Sequence, residues 1–137
     1  MPRYAFISYR TFLLDAAHRM QTLSLYAIAA MFIAAGVAHF VKPGLFTRIM
    51  PPYLPAPKLL VYVSGAFEIA GGVGVLVPGV QVYAAWGLIA LLVAVFPVHI
   101  YMVQAPEKFD DIPTWVLWFR LPLQFVLMAW VYWTVLA

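Results

Sequence analysis

Four long apolar stretches divide the chain, and few polar side chains interrupt them. They cover residues 23–40, 59–77, 80–102 and 115–136. Because an α-helix rises about 1.5 Å per residue, each stretch is close to the length that crosses about 30 Å of hydrocarbon. Membrane-spanning strands would be shorter and would alternate apolar with polar residues, which these stretches do not do. The pattern predicts an all-α membrane protein with a bundle of four transmembrane helices over residues 21–137.

Residues 1–20 have a different pattern from the rest of the chain. The apolar and basic residues that alternate there at helical spacing are Phe6, Tyr9, Leu13, Met20, Arg3, Arg10 and Arg19. This spacing is typical of an amphipathic helix that lies on an anionic membrane surface. Two alternatives stay open, a disordered tail and upstream sequence preceding a native start at Met20.

Two longer connections and one tight turn join the predicted spans. Five prolines between Val41 and Lys58 exclude a long helix, although LFTRIM can form one turn, and the apolar residues there predict a segment folded over the helix ends. Residues 104–113 are rich in charge and predict a solvated loop, whereas Pro78-Gly79 predicts a turn. Four spans place both termini on one side. The orientation stays open, because that side has three basic residues and the other side has four.

The composition supports this architecture and excludes several classes of function. Hydrophobic residues make up 66% of the chain and charged residues only 9%, against about 25% charged residues in a soluble domain. The net charge of +3 is not concentrated in a basic run, so nucleic acid is not an expected partner. Cysteine is absent, which excludes thiolate nucleophiles and cysteine-held zinc or iron–sulfur clusters. The lipid bilayer is the expected surrounding, with the bacterial inner membrane as the expected location.

Polar residues inside the spans are informative, because each costs free energy in hydrocarbon unless it is paired or hydrated. Measured from the side of the longer connections, Glu68 lies about 14 Å deep, Arg120 about 8 Å and Gln124 about 14 Å. Arg120 and Gln124 are four residues apart and share a helix face. These depths predict a Glu68–Arg120 pair with Gln124 beside it, lining a cavity that opens towards the two longer connections. His39, His99 and Ser64 lie in the same half and complete the candidate site.

Other interpretations of these residues remain open. A Glu68–Arg120 pair can be a structural tie without a ligand, and Arg120 can instead extend to the interface and leave Glu68 protonated. Metal or haem ligation by the two histidines is disfavoured, because histidines near helix ends more often form interfacial hydrogen bonds. The recurrence of Ala66, Ala70 and Gly74 predicts a stripe for close helix packing. Gly71 and Gly72 are expected to pack rather than to make room for a ligand.

Six short segments resemble the DoxX-like family of small four-helix membrane proteins. They are AGVAHF at 35–40, the P-x-x-F of residues 43–46, PPYLP at 51–55, SGAFEIAGG at 64–72, FPVHIYM at 96–102 and RLPLQ at 120–124. The family takes its name from a membrane subunit associated with archaeal thiosulfate:quinone oxidoreduction. Its branches include an accessory protein for methylamine dehydrogenase maturation and an animal chaperone for neurotransmitter-receptor assembly. The family's polar residues that this resemblance implies here are His39, Glu68, Arg120 and Gln124, whereas His99 stands where an asparagine is expected.

Three functions follow as hypotheses. The first is a redox-linked accessory subunit that binds a quinone or similar lipophilic molecule while a partner supplies the redox cofactor. The second is a non-catalytic assembly factor that recognises another membrane protein, and the third is a carrier of a small hydrophobic molecule. Standalone catalysis is disfavoured, because no hydrolytic constellation and no phosphate-binding loop is present. A membrane-protein partner or a second copy of the chain is the expected protein contact.

Overall fold

The computed structural model describes residues 2–137, with side chains from Phe6 onwards. Met1 and the side chains of residues 2–5, which include the predicted interfacial Arg3, lie outside this description. The described chain is helical and has no strand. Its α-helices are α1 (Pro2–Val41), α2 (Pro43–Arg48), α3 (Pro57–Gly74), α4 (Gln81–Gln104) and α5 (Thr114–Val131). A 3₁₀ turn occupies Pro106–Lys108, and a π-helical turn, Tyr132–Leu136, continues α5.

Three helical segments are long and apolar enough to cross a membrane, which confirms the all-helical prediction and part of the predicted spans. They are Phe6–Val41, Gln81–Gln104 and Thr114–Leu136. Helix α3 forms where the second span was predicted, but it has 18 residues and includes Lys58 and Glu68, which lower its mean hydropathy. Large apolar side chains on the outer surface are exposed, which is compatible with lipid contact. Examples are Trp115, Trp118, Phe125 and Trp133.

Helix α1 is continuous through the point where the sequence predicts a boundary. Its 40 residues correspond to about 60 Å, twice the thickness of the hydrocarbon core. No break separates residues 1–20 from the first predicted span, because residues that favour helix continue across Met20 and Leu23. The large side chains of the first part, such as Phe6 and Phe12, are exposed. Helix α1 therefore extends well beyond the helices that pack against its C-terminal half.

The long helices pack in a definite order. Helix α1 lies against α3, α3 against α4 and α4 against α5, and the π-helical turn contacts both α1 and α4. The main core fills the half of the molecule nearer the termini, with Ile28, Phe32, Val75, Leu88 and Val131 almost fully buried. A smaller cluster around Met102, Phe109 and Leu117 lies beneath the longer connections. This packing order fixes which polar side chains can meet.

Glycines bring the backbones of α1 and α3 unusually close together. A Cβ on Gly36 would lie 2.6 Å from the carbonyl oxygen of Gly65, and a Cβ on Gly65 would lie 2.7 Å from the Cβ of His39. Both distances are shorter than real Cβ atoms tolerate, so only glycine permits this approach. Of the predicted packing stripe, Gly74 does approach Ala84 of α4 closely, but the prediction is wrong for Ala66 and Ala70, which are exposed. The contact face of α3 is rotated towards Gly65, with Gly71 against Leu88 and Gly72 against Ile33, so the two adjacent glycines pack as expected.

The conformations of the connections agree with what their sequences predict. The proline-rich segment after α1 contains one short helix, α2, as predicted from the spacing of its prolines. The turn between α3 and α4 places Gly79 at φ 89°, in the left-handed region that side-chain-bearing residues rarely adopt. The second connection, between α4 and α5, includes the 3₁₀ turn. An ion pair between the two longer connections, described below, holds them on the same end of the molecule, as the prediction requires.

Candidate functional site

Glu68 of α3 lies beside His39 of α1, where the glycine contact brings these helices together. The Nδ1 atom of His39 is 2.8 Å from the carbonyl oxygen of Ala35 and 3.0 Å from Oε2 of Glu68. A carbonyl oxygen can only accept a hydrogen bond, so Nδ1 bears the hydrogen and donates it to Ala35. The side chains of His39 and Glu68 are 11% and 15% exposed. The two groups therefore form a close, mostly buried pair.

The Glu68 oxygen that lies beside His39, Oε2, lacks a hydrogen-bond donor. Within the described part of the chain, Oε2 of Glu68 is the buried side-chain polar atom that has no hydrogen-bond partner. The nearest donor is Nδ1 of His39, but its hydrogen is directed to Ala35. A buried acceptor without a donor costs about 1–3 kcal/mol, and such exceptions in a folded protein require an explanation. Glu68 Oε2 is therefore a buried acceptor that the described residues leave unsatisfied.

The predicted Glu68–Arg120 pair is wrong. The Nε atom of Arg120 donates instead to Nδ1 of His99, at 3.2 Å. Arg120 is on α5, which packs on α4, whereas Glu68 is on α3 and faces α1. The depth of each residue was inferred from its position along a helix, but depth contains no information about which helices are neighbours. His99 thus receives the bond that was assigned to Glu68.

The remaining predicted site residues have separate positions. Gln124 is buried, and its Nε2 donates to the carbonyl oxygen of Leu92 at 2.7 Å. Leu92 is in the turn of α4 that precedes Pro97, and both Pro97 and Pro122 lie inside helices that continue past them. Ser64 is half-buried one turn before Glu68. The candidate residues therefore form two groups, one between α1 and α3 and one between α4 and α5, rather than one cluster.

Helix α2 covers the His39 side of the first group. The ring of Phe46 stacks on the ring of His39, with centroids 3.8 Å apart and an angle of 20° between the planes. At the end of α2, Arg48 forms a two-pronged ion pair with Asp111 of the second connection, and its Nη1 lies 2.8 Å from Oδ2. The hydrogen bonds from Arg48 hold the pKa of Asp111 below its usual value. The ion pair is exposed, and it connects α2, which covers His39, to the second connection.

A neutral hydrogen-bond network that the sequence did not reveal joins α1 to the end of α5. Trp130 Nε1 donates to the Ser24 hydroxyl at 2.6 Å, and that hydroxyl lies 2.8 Å from the hydroxyl of Thr134. Gln21 Nε2 also donates to the carbonyl oxygen of Thr134, at 3.0 Å. Ser24 and Thr134 were recognisable as polar residues at matching depth at the terminal end. What the sequence lacked was the contact between α1 and the π-helical turn.

The predicted cavity is not where the structure shows a pocket. A pocket of about 220 Å³ lies at the terminal end, beside the neutral network, and Gln21, Gln81 and Thr134 help to line it. None of the six predicted site residues lines it. No group of three histidine, aspartate or glutamate side chains in the described part of the chain could hold a metal ion. The histidines instead have the hydrogen-bonding positions given above.

A family model described as a domain of unknown function, DUF8561, matches residues 28–135 of this chain. The match begins inside α1 and ends in the π-helical turn, so it covers more than three quarters of the sequence and both polar groups. No curated protein and no solved structure matches the chain. The matched region thus includes every helix that packs in the core, and the chain belongs to the DUF8561 family.

Proposed function

We propose that this protein is a redox-linked accessory subunit of the membrane, which binds a quinol or a similar lipophilic hydroxyl compound beside His39 and Glu68. In this proposal the chain crosses the bilayer four times. Helix α3 and the residues up to Val77 supply the fourth span, since 18 helical residues already measure about 27 Å. Residues of α1 before about Thr22 extend past the interface. An interfacial position for them, as the sequence suggested, requires a bend in α1.

The unpaired oxygen of Glu68 is the observation on which this proposal rests. It is buried, it lies on the half of the molecule nearer the longer connections, and it has no donor among residues 6–137. A ligand hydroxyl would supply the missing donor and offset the cost of the buried acceptor. Quinols combine a hydroxyl that can donate with a ring and tail that prefer hydrocarbon. They are therefore the ligand class that fits this position best.

The surroundings of Glu68 also favour an aromatic, lipophilic ligand. Phe46 and His39 present stacked rings at the edge of the site, and Phe40 stacks with Tyr62 at 5.4 Å between α1 and α3. A ligand ring can pack against such side chains with a gain of about 0.5–1.5 kcal/mol beyond the burial of its area. Phe67, next to Glu68, is exposed on the outer surface, so in this proposal the ligand approaches from the lipid and local side-chain movement admits it to the buried oxygen.

The redox step itself requires a partner in this proposal. The chain has no cysteine, so it supplies no thiol and no thiolate ligand for a cluster. Glu68 and His39 can hold the hydroxyl and accept its proton, while a cofactor in the partner accepts the electrons. In the reverse direction, quinone reduction, the partner supplies the electrons and the same side chains return the proton. A quinone site that depends on a partner is also what the resemblance to DoxX-like proteins implies, since the family is named after a subunit associated with thiosulfate:quinone oxidoreduction.

A second candidate is a non-catalytic assembly factor, and the shape of α1 favours it. Residues 6–20 form a helix beyond the packed core, with exposed Phe6, Tyr9, Phe12 and Leu14. An exposed apolar helix of this length can pack on a helix of another membrane protein. In that case His39 and Glu68 would serve as one more polar contact between helices, like His99 and Arg120.

Native mass spectrometry of the gently purified protein, with identification of bound small molecules, distinguishes these functions. We expect a quinol or quinone in the wild type, its loss in Glu68→Leu, and partial retention in Glu68→Gln, because the amide oxygen can still accept a hydrogen bond. Glu107→Leu is the matched control, since Glu107 is an exposed carboxylate in the second connection. Bulk phospholipid alone in every sample would overturn the proposal, and co-isolation of an unassembled membrane protein would favour the second candidate.

A further inference from the structure

In the four-span arrangement proposed above, on which this inference rests, the pocket at the terminal end lies at the depth of the membrane interface opposite the two longer connections. It is lined on one side by α1 around His18 and Gln21 and on the other by Gln81 and Thr134, near the start of α4 and the end of the chain. From residue 18 to the end of α1 at Val41 the helix rises about 35 Å, slightly more than the hydrocarbon thickness. A pocket at this level is in contact with lipid headgroups.

Hydrogen bonds already made by the lining residues determine what the pocket can still offer. Gln21 Nε2 donates to the carbonyl oxygen of Thr134, and Gln81 Nε2 donates to the carbonyl oxygen of Val75 at 2.8 Å. Because carbonyl oxygens only accept, these bonds identify the amide nitrogens; each glutamine keeps its amide oxygen as an acceptor and one further N–H as a donor. The hydroxyl of Thr22 donates to its own helix at His18, so its oxygen also remains an acceptor. The pocket therefore offers both acceptors and donors.

One hydroxyl donor completes the lining. The Ser24 hydroxyl accepts from Trp130 Nε1 and pairs with the Thr134 hydroxyl, and either of those two oxygens can be the donor. If Ser24 donates its hydrogen to Thr134, both hydroxyl bonds in the network are made, and the hydrogen of Thr134 is free to point into the pocket. The lining thus combines three neutral acceptors with this hydroxyl, the remaining glutamine N–H groups and the ring of His18, a set that suits a headgroup with both a cationic and an anionic part.

The electrostatics favour a cation that has several N–H groups. The amide oxygens of Gln21 and Gln81 carry partial negative charge and can accept from such groups. No carboxylate lines the pocket, and the nearby carboxylate of Asp15 is paired with Arg19 at 3.4 Å. A free metal cation would lack a charged ligand here. An ammonium group with three N–H donors matches the neutral oxygens better.

We propose that this pocket binds the ethanolamine headgroup of a phospholipid. The ammonium group donates to the amide oxygens of Gln21 and Gln81, and a phosphate oxygen accepts from the hydroxyl of Thr134. Leu25 and Val135, the aliphatic residues of the lining, contact the glycerol end of the lipid where its chains enter the bilayer. A volume of about 220 Å³ accommodates a group of this size. The pocket is spatially separate from His39, near the C-terminal end of α1, and from Glu68 of α3 beside it.

The lipid preference can be measured by native mass spectrometry from nanodiscs that contain equal amounts of phosphatidylethanolamine and phosphatidylcholine. We expect phosphatidylethanolamine to be retained at least fivefold over phosphatidylcholine, whose quaternary ammonium has no N–H group. The preference should decline stepwise for the mono- and dimethylated headgroups, a series that requires no variant of the protein. Equal retention of all four lipids would overturn the proposal.

Variants of the protein and a soluble competitor test whether the lipid binds in this pocket. Gln81→Leu should reduce the preference to about one, whereas Gln104→Leu, an exposed glutamine at the opposite end of α4, should leave it unchanged. A preference that survives Gln81→Leu in the folded protein would contradict the assignment. Free phosphoethanolamine at millimolar concentration should not displace the lipid. Displacement by it would show a site for a soluble headgroup compound and would overturn the phospholipid assignment.

Discussion

Helix α1 is joined to the rest of the molecule in two different ways. Near the longer connections it meets α3 through glycines, and this close contact places His39 beside Glu68. Near the termini it meets the end of α5 through Ser24, Trp130 and Thr134, which are neutral and bonded to one another. The first junction has a buried acceptor without a donor, whereas the second does not. Polar residues in one protein can thus satisfy one another at one helix contact and leave an acceptor unsatisfied at another.

Because the two junctions differ in this way, some variants should change the stability of the protein alone and others should change ligand binding alone. Substitutions in the network of Ser24 and Thr134 should reduce stability and leave ligand binding at Glu68 intact. Substitution of Glu68 should remove the ligand at little cost in stability, because the wild-type acceptor is already unsatisfied. Only the glycine contact should affect both properties, since it creates the geometry of the proposed binding site.

Gly36→Ala should have the largest effect. Its added methyl group would overlap the carbonyl oxygen of Gly65, which belongs to the backbone and cannot move without separating α1 from α3. We expect a loss of about 2–3 kcal/mol in the free energy of unfolding, as for other overpacked sites. Reversible denaturation in mixed micelles measures the loss. Gly87→Ala is the control: nothing lies within 4 Å of its Cβ position, so alanine should increase stability by up to about 1 kcal/mol. Equal effects of the two variants would contradict the close α1–α3 contact.

Ser24→Ala should have the next largest effect. It removes the acceptor for Trp130 and the partner of Thr134, so we expect a loss of about 1–2 kcal/mol. The same denaturation measurement applies, combined with the ligand measurement at Glu68, which should not change. Thr11→Val is the matched control, because the exposed hydroxyl of Thr11 bonds only to its own helix. A loss of the Glu68 ligand in Ser24→Ala would show that the two junctions are not independent.

Two double-mutant cycles test the pairing of Arg120. The cycle with His99 should give a coupling energy of about 1 kcal/mol, because the two side chains share a hydrogen bond. The cycle with Glu68 should be additive within about 0.5 kcal/mol, as expected for groups that share no partner. Alanine variants of the three residues, measured by denaturation, supply both values. Strong coupling between Glu68 and Arg120 would restore the pair inferred from depth alone.

The smallest effect is expected at the exposed ion pair between the longer connections. Because Arg48 lowers the pKa of Asp111 in the folded chain, the pair stabilises α2 above the unfolded pKa of about 3.9, and its contribution is lost as the pH falls through the lower folded value. Asp111→Asn should therefore increase hydrogen exchange in α2 slightly at neutral pH, and Asp110→Asn should not. Equal exchange in Asp111→Asn and the wild type would show that the pair does not hold α2.

The sequence predicted the positions of most helices, because apolar length and proline spacing are local properties of the chain. Three spanning segments, the short helix α2 and the turn at Gly79 follow from them. The partners of Glu68 and Arg120 could not be predicted in the same way. Pairing depends on the order of helices around the core and on the rotation of each helix about its axis. The rotation of α3 follows from Gly65 and its neighbour Gly36 rather than from the regular Ala66–Ala70 spacing.

The sequence pattern also did not indicate that α1 is one continuous helix from Pro2 to Val41. A change from amphipathic to uniformly apolar sequence near Met20 predicts a boundary in the environment of the helix. It does not predict a boundary in the helix itself, because no proline or glycine occurs between Phe6 and Met31 to end it. The environment of residues 6–20 and the secondary structure of α1 are therefore separate questions, and only the second is answered by backbone hydrogen bonds.

The central claim is that Glu68 binds a ligand hydroxyl, and a comparison of quinol with quinone tests it most directly. The two compounds have the same tail and differ in whether the ring oxygen donates or only accepts a hydrogen bond. Binding to the purified protein under anaerobic conditions should favour the quinol by about tenfold, equivalent to about 1.4 kcal/mol. The preference should vanish in Glu68→Leu and remain in Glu107→Leu. Equal binding of quinol and quinone by the wild type, or a quinol preference that persists in Glu68→Leu, would contradict the claim.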